Sequence, residues 1–591
     1  MNTASGNLFR GLLFLGLVCF VMPICAQTSA VNSEKELQQK RELIQKANSL
    51  VDEIAIGAHG LKLPENRSFV LTSAADLLWR HDEKRARALF WDALNSINLL
   101  VDPGGNSAKR TKENREKHYF AIYTLRQGLL RTVAKHDPQL ALDMLRTTRQ
   151  LPPVEEVNAG YRLPDDSEIE QQIATEAAAR DPEKGLQVAR DSLAKALTFQ
   201  TLNFLSRLNE RDQEVAAKFA GDIIDKLQTK NLATDIVSSR IALNLVGWSR
   251  SSSVAGQEKD SPHRFDPLKL DNERRRQLVE MITDAAMSVS ANSTLLNAIH
   301  DILPEMYKFV PERVGPLRKK LSIFEQTLNR EQRSSNEYSS LMRGGSPEDM
   351  LTGSLKADGD ERQMLRQQAI VIAILRRRAD ALREFIKNEI ADDSLQRSLM
   401  DDLDTQQITA ATLRGDADEL RSLLPRVRRT EERARAMAEI AVVLEKKGDH
   451  DEAVKLLDEA RTLIKVDFES ETQSNALLAL VAAYALVEPP KAFAIIERTI
   501  DRANDQIGRA LLLDKIARTG VVKKGELLMQ NSGTISPEYM LFKYGKAVVA
   551  LANADFNRTR AAADRFERME LRLMMRLLLA QSLLEDGRET K

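Results

Sequence analysis

The residues best able to do chemistry in this sequence are few and scattered. His81, Asp82 and Glu83 stand together and suggest a metal or proton-transfer site. A zinc site needs ligands at set spacings, as in HExxH, and His59, His118, His136, His263, His300 and His450 do not supply them. His81, His136 and His450 fall instead at equivalent points between apolar helical stretches, where the polar residues of turns belong. The runs Asp392-Asp393 and Asp401-Asp402-Asp404 read as helix starts and exposed faces rather than as a catalytic carboxylate couple. Residues Lys356-Ala357-Asp358-Gly359-Asp360 lack the ligand spacing of a calcium loop. No phosphate-binding GxxxxGK, dinucleotide GxGxxG or nucleophile-elbow GxSxG element occurs. The sequence therefore assigns no catalytic residue, no cofactor and no metal.

Residues that could bind rather than react are also weighed by their surroundings. Trp79 and Trp91 lie on successive predicted helices; Trp79 is expected to fill core space and Trp91, beside Phe90, to be partly exposed. Arg274-Arg275-Arg276 and Arg376-Arg377-Arg378 have Asp271, Glu273, Asp380 and Glu384 close by, which reads as ion-paired helix surface. In Arg414-Gly415-Asp416, Gly415 ends one helix and Asp416 caps the next. Asn66, Asn292 and Asn557 match the glycosylation acceptor pattern by letters. Lys+Arg and Asp+Glu both number 86, so no net field draws the chain to nucleic acid, and no nucleic-acid partner is expected.

The elements that position these residues are helical. Among 591 residues, 43% are apolar and only 5% aromatic, a mixture that favours helices over strands. Between Ala434 and Ala460, Met437, Ile440, Ala441 and Leu444 form one apolar stripe. Gly448 interrupts it, and Asp449 and Asp451 suit the start of a second helix. That second helix carries Ala453, Leu456, Leu457 and Ala460 on one face, with alanines where two helices approach closely. The grammar recurs as His81-Asp82-Glu83, His136-Asp137-Pro138, Arg180-Asp181-Pro182, Arg211-Asp212 and Glu488-Pro489-Pro490 between apolar stretches. Aspartate before proline sets an N-cap carboxylate ahead of a residue preset for the first helical turn. The small residue opening each second helix is Ala86, Ala141, Gly185, Ala216, Ala453 or Ala492, at irregular intervals.

The stretch 434–460 resembles the tetratricopeptide repeat, through Ile440, Ala441, Leu444, Gly448, Ala453, Leu457 and Ala460. It departs from that pattern at Met437, where a larger residue is usual, and at Lys465, where proline is usual. The resemblance implies helix pairs that stack and bind proteins or peptides; it names no partner.

The N-terminus reads as a targeting segment. Arg10 precedes the apolar run from Gly11 to Ile24, and cleavage after Ala26 gives an exported chain, periplasmic or secreted, with no stable membrane anchor. Both cysteines, Cys19 and Cys25, lie in that segment, so the mature chain would contain no thiol.

The expected architecture is all-α, an irregular α-solenoid of antiparallel helix pairs behind a signal peptide. Its expected parts are the signal peptide over 1–26, a repeat region over 34–248 and a linker over 249–271. A helical segment over 272–330, a polar linker over 331–360 with a short helix opening at Ser346-Pro347, and a second repeat region over 361–587 follow. The expected function is a non-enzymatic scaffold that holds a protein or peptide on its concave face. The alternative is a helical enzyme, an α/α toroid or superhelical arm, acting on polysaccharide or cell wall. The sequence assigns no ligand-facing residue.

Overall fold

The computed structural model describes residues 30–101, 112–148, 166–179, 181–250, 267–289, 294–327, 345–357, 359–464, 470–517, 522–529 and 537–589. The leader 1–26, most of the polar stretches 101–116, 249–271 and 331–360, and Asn292, Asp358 and Lys465 lie outside them. The described chain is all-helical apart from a hairpin pairing Val522–Lys523 with Glu526–Leu527. It divides into two compact units, Arg87–Asn336 and a split unit made of Met1–Ala86 with Glu337–Lys591.

In chain order the helices are α1 (Ala30–Ala58), α2 (Pro64–Leu78) and α3 (Glu83–Asn98), the last crossing the division between units. The continuous unit goes on with α4 (Lys112–Ala134), α5 (Pro138–Thr147), α6 (Asp166–Ala178), α7 (Pro182–Lys195) and α8 (Phe199–Arg211). It ends with α9 (Gln213–Gln228), α10 (Ile236–Trp248), α11 (Asn272–Ser288), α12 (Thr294–Phe309) and α13 (Pro311–Thr327). The split unit resumes with α14 (Pro347–Lys356), α15 (Gly359–Leu375), α16 (Ala379–Glu389), α17 (Asp393–Arg414) and α18 (Ala417–Leu423). Then come α19 (Thr430–Lys447), α20 (His450–Leu463), α21 (Glu471–Val487), α22 (Pro489–Ala517), α23 (Pro537–Asp564) and α24 (Met569–Glu589).

The aspartates of the inter-helix turns do what their positions predict. Asp137 accepts from Leu140 N at 3.0 Å, Asp181 from Lys184 N at 3.2 Å, and Asp82 from Arg85 N at 3.0 Å. Asp212 ends α8 and opens α9 by accepting from Glu214 N and Val215 N, both at 3.0 Å. Asp555 has the same extended backbone inside α23 and caps Arg558 N at 2.9 Å, so α23 is two helices either side of a one-residue turn. Asp449 departs from expectation: it stands at the N-cap of α20 without a side-chain bond.

In the continuous unit the helices pack in two layers. First helices follow one another, α4 on α6, α6 on α8, α8 on α10 and α10 on α12. Second helices do the same, α7 on α9, α9 on α11 and α11 on α13. Each first helix also packs on its own second helix, α6 on α7 most closely, because a Cβ on Gly185 would sit 2.6 Å from the backbone N of Ala178. The stretch 249–271 is not a boundary between units. Leu268 is buried and donates its amide to Trp248 O at 2.8 Å, and Ile241 and Leu245 share one core with Leu278 and Ile282.

The split unit repeats the scheme, with α15, α17, α19, α21 and the first half of α23 as consecutive first helices. Its last pair comes from the two ends of the chain. Helix α24 is the next first helix, and α1 packs against it as the second, burying Ala47, Leu50, Val51 and Ile54. Helix α2 then packs on both α1 and α24. Residues 34–86 therefore belong with 337–591, not with the helices that follow them, because their apolar stripe is buried by α24.

Candidate functional site

Along the second helices, ion pairs about one helix pair apart in sequence join neighbouring helices at most of their junctions. In the continuous unit these are Arg87–Asp137 at 2.6 Å, Arg190–Asp222 at 2.7 Å, Arg274–Asp225 and Arg313–Asp284. In the split unit they are Arg378–Glu348 at 2.8 Å, Arg421–Glu452 at 2.7 Å, Lys491–Asp458 at 2.9 Å and Arg558–Glu497 at 2.8 Å. Arg560 then reaches Glu53 on α1 at 2.8 Å, continuing the ladder across the chain ends. Burial alone would raise the Asp137 carboxyl, but Leu140 N and Arg87 outweigh it and hold the group below its ordinary range. The second-helix surface is thus largely engaged in holding the layers together.

The first-helix surface of the split unit is different. Helix α15 presents Arg362 and Arg366, α17 presents Asp401 and Asp402, and the start of α19 presents Arg429 and Glu432. Leu365, Ala369, Leu399, Leu403 and Ala434, on the opposite sides of these helices, are buried, which fixes the orientation of the polar strip. Arg366 Nε lies 3.4 Å from Ser354 Oγ, Arg362 Nε donates to Ala357 O at 2.8 Å, and Arg429 reaches Glu432 at 3.3 Å. Asp402 is open to solvent, yet flanking protein dominates its electrostatics. Desolvation raises its carboxyl pKa; Arg429 opposes, Glu432 and Asp401 add to the rise, and Arg366 opposes. Desolvation and the neighbouring Arg362 in turn hold Arg366 below its usual value. The strip carries both signs of charge.

A second polar cluster holds the closing pair in place. Glu526, on the hairpin, accepts from Lys62 N at 2.5 Å and Leu63 N at 3.0 Å, the amides that lead into α2. Asn66 donates to Leu527 O at 2.8 Å and accepts from Met529 N at 2.9 Å. Glu570 accepts from Leu527 N at 2.9 Å and pairs with Arg568 at 2.5 Å, while Lys523 reaches Glu65 at 3.3 Å. Glu65, Asn66, Glu526 and Glu570 are all buried, so this is a structural clasp rather than an open site.

The residues singled out from sequence are placed as follows. Ile440, Ala441, Leu444, Ala453, Leu457 and Ala460 are buried in one core between α19 and its neighbours, and Gly448 ends α19 in the left-handed region at φ +89°. Gly415 does the same for α17 at φ +69°, and Asp416 caps α18 through Glu419 N at 3.0 Å. Asp392 caps α17 through Leu395 N at 2.8 Å, and Ser346 opens α14 with a reciprocal bond to Asp349. Asp404 is not on an exposed face: it is buried and bonded to Arg383, which also donates to Gln407 at 2.8 Å. Trp79 does not fill the core as expected, since it and Trp91 are each only half-buried, in different units. His450 bonds Glu445 at 2.9 Å, and His136 lies 6.4 Å from the Phe90 ring. Asn66 is buried and spends its side chain on the clasp, whereas Asn557 is exposed. Among the described residues, no three His, Cys, Asp or Glu side chains are grouped to hold a metal ion.

The ladder and the Asp402 strip were not foreseen from the sequence. Acidic and basic residues about one pair apart on predicted second helices were a signal for the first. The second requires knowing which first helices are neighbours.

No family profile matches this chain, and no curated protein matches it. Among solved structures it is similar to one described as a circular tandem repeat protein with novel repeat topology and enhanced subunit contact surfaces. The identity is 14%, over 93% of this chain and 99% of that one, with a TM-score of 0.12, too slight a superposition to carry the fold.

Proposed function

We propose that the chain is an irregular α-solenoid of antiparallel, tetratricopeptide-like helix pairs. On this reading it is exported behind a cleaved leader ending at Ala26, to the periplasm or beyond the cell, and acts as a non-enzymatic scaffold. It binds a protein or peptide along the first-helix face that carries Arg362, Arg366, Asp402, Arg429 and Glu432. The observation that carries the reading is Asp402, a solvent-open carboxylate held above its ordinary range on a surface whose arginines are themselves crowded. Charges kept against their own electrostatics mark places selected for something other than stability. A partner segment that sets a cation beside Asp402 and a carboxylate beside Arg366 relieves both. Among the described residues no helix is long and apolar enough to cross a membrane.

The mature chain and its Asp402→Asn variant, used as baits in an extract of the native envelope, test this. The variant is expected to melt at or above the parent temperature while losing a partner that the parent retains. Identical captured sets from both baits would count against the strip as the binding face.

The raised carboxyl also favours a second reading, since a general acid in glycoside cleavage is a carboxyl that its surroundings hold above the ordinary range. Cell-wall or polysaccharide hydrolysis by the parent, abolished in Asp402→Asn, would select the enzyme over the scaffold.

A further inference from the structure

The exposed large apolar residues of the continuous unit are not spread evenly. Seven are described there: Leu99, Phe120, Phe199, Ile236, Met287, Tyr307 and Ile323. All but Tyr307 lie where a second helix hands over to the next first helix, or in the helix halves nearest that hand-over. Phe199 and Ile236 are the first residues of α8 and α10, 44% and 58% exposed, and Met287 is in the last turn of α11, 41% exposed. If consecutive helices are antiparallel, as the proposed function holds, these hand-overs gather on one rim of the unit. Scattered exposed apolar residues are ordinary, but their collection at one rim, one tip at a time, is not.

Lysines occupy the same rim. Lys226, near the end of α9, donates to Ala194 O at 2.7 Å at the end of α7, and Lys320 on α13 repeats the contact with Met287 O at 2.7 Å. These contacts satisfy helix-end carbonyls and leave each ammonium without a carboxylate partner among the described residues. Lys230 and Lys319 are exposed beside them. The nearby acids are mostly engaged: Glu170 pairs with Lys195 at 2.6 Å, Asp235 caps α10 through Ser238 N at 3.0 Å, and Asp225 pairs with Arg274. Lys230 sits close enough to Asp235 to lower that carboxyl's pKa.

We propose that this rim rests on an anionic membrane surface. Single apolar tips, each on its own helix pair, suit a deformable apolar medium rather than the pocketed face of a folded partner. Lysines whose stems lie along the rim reach the headgroup level while the tips enter the acyl boundary. Negatively charged lipid complements Lys226 and Lys320, whose ammonium groups meet carbonyls and not carboxylates among the described residues.

Flotation of the full mature chain with vesicles tests the proposal. One set of vesicles is phosphatidylcholine alone and the other an equal mixture with phosphatidylglycerol. The chain is expected to float with the mixture and not with phosphatidylcholine alone. K230E combined with K319E is expected to weaken that binding by about tenfold or more, as loss of cations near an anionic leaflet should. F199S combined with I236S is expected to weaken it too. Y307S, at the opposite rim, is expected to bind as the parent does. Circular dichroism of each variant separates loss of binding from loss of fold, since all five positions are at least partly exposed. Failure of the parent to float with the mixture overturns the proposal. So does flotation of the charge-reversed variant equal to the parent, or a loss in Y307S equal to that in the F199S and I236S pair. A shift of the F199S and I236S variant to a smaller species in gel filtration, without parent flotation, would assign the rim to self-association and overturn the lipid reading.

Discussion

The two units use the same helix-pair packing but differ in how the chain supplies it. In the continuous unit every pair is made by neighbours in sequence, so its contacts are local, the condition under which stacked pairs fold by propagation. In the split unit the last pair joins α24 to α1 from opposite ends of the chain, and Glu526, Asn66 and Glu570 clasp the junction. The difference teaches that sequence neighbours and packing neighbours coincide in one unit and part company in the other. It also makes the split unit the one whose integrity depends on both ends of the chain.

The strongest way to break that comparison is truncation. A chain beginning at residue 87 lacks α1 and α2 and uncovers the face of α24 that buries Leu573 and Leu577. The split unit is expected to lose its cooperative melt while α4–α13 keep theirs, and residues 27–86 added in trans are expected to restore it. Two transitions in differential scanning calorimetry, one lost on truncation, check this.

Next in size is Glu526→Ala. It strands the buried amide of Leu63, the half-buried amide of Lys62 and one bond of Asn66, an expected loss of about 2–4 kcal/mol confined to the split unit. Urea melts followed by a probe in each unit read it directly.

Two glycines sharpen the contrast at smaller cost. Gly185→Ala drives a methyl into the backbone of Ala178, which cannot move aside, and should cost about 1–3 kcal/mol in the continuous unit. Gly57→Ala meets the Leu573 side-chain tip at 2.8 Å, which a rotamer change relieves, so its cost in the split unit is expected to stay below about 1 kcal/mol. Smallest of all is Arg560→Ala, which removes a half-exposed rung of the ladder and should cost about 0.2–1 kcal/mol, less at high salt. A matched effect from all three would erase the distinction between backbone, side-chain and surface contacts drawn here.

How much of this was legible depended on whether the controlling contact was local. Asp137-Pro138, Asp181-Pro182 and Asp212 announced helix starts because an N-cap acts within three residues. The stripe from Met437 to Ala460 announced a pair for the same reason, with both helices and their turn in one window. The pairing of α1 with α24 left no such mark, because the stripe of Leu50 and Ile54 says that a partner exists and not where it lies in the chain. The polar run around Ser249 marks a boundary by composition alone, yet Ile241 and Leu245 before it share a core with Leu278 and Ile282 after it. Asp402 looked like one of several surface acids until α15 and α19 were placed on either side of it.

Native-state hydrogen exchange on the intact chain, with and without Glu526→Ala, tests the central claim most directly, because opening units appear as groups of amides with a common free energy. The closing-pair account predicts that the amides of α1, α2 and α24 exchange together and are all weakened by Glu526→Ala, with α6–α13 unaffected. Fast exchange in α1 and α2 alongside fully protected, mutation-insensitive amides in α24 would contradict it.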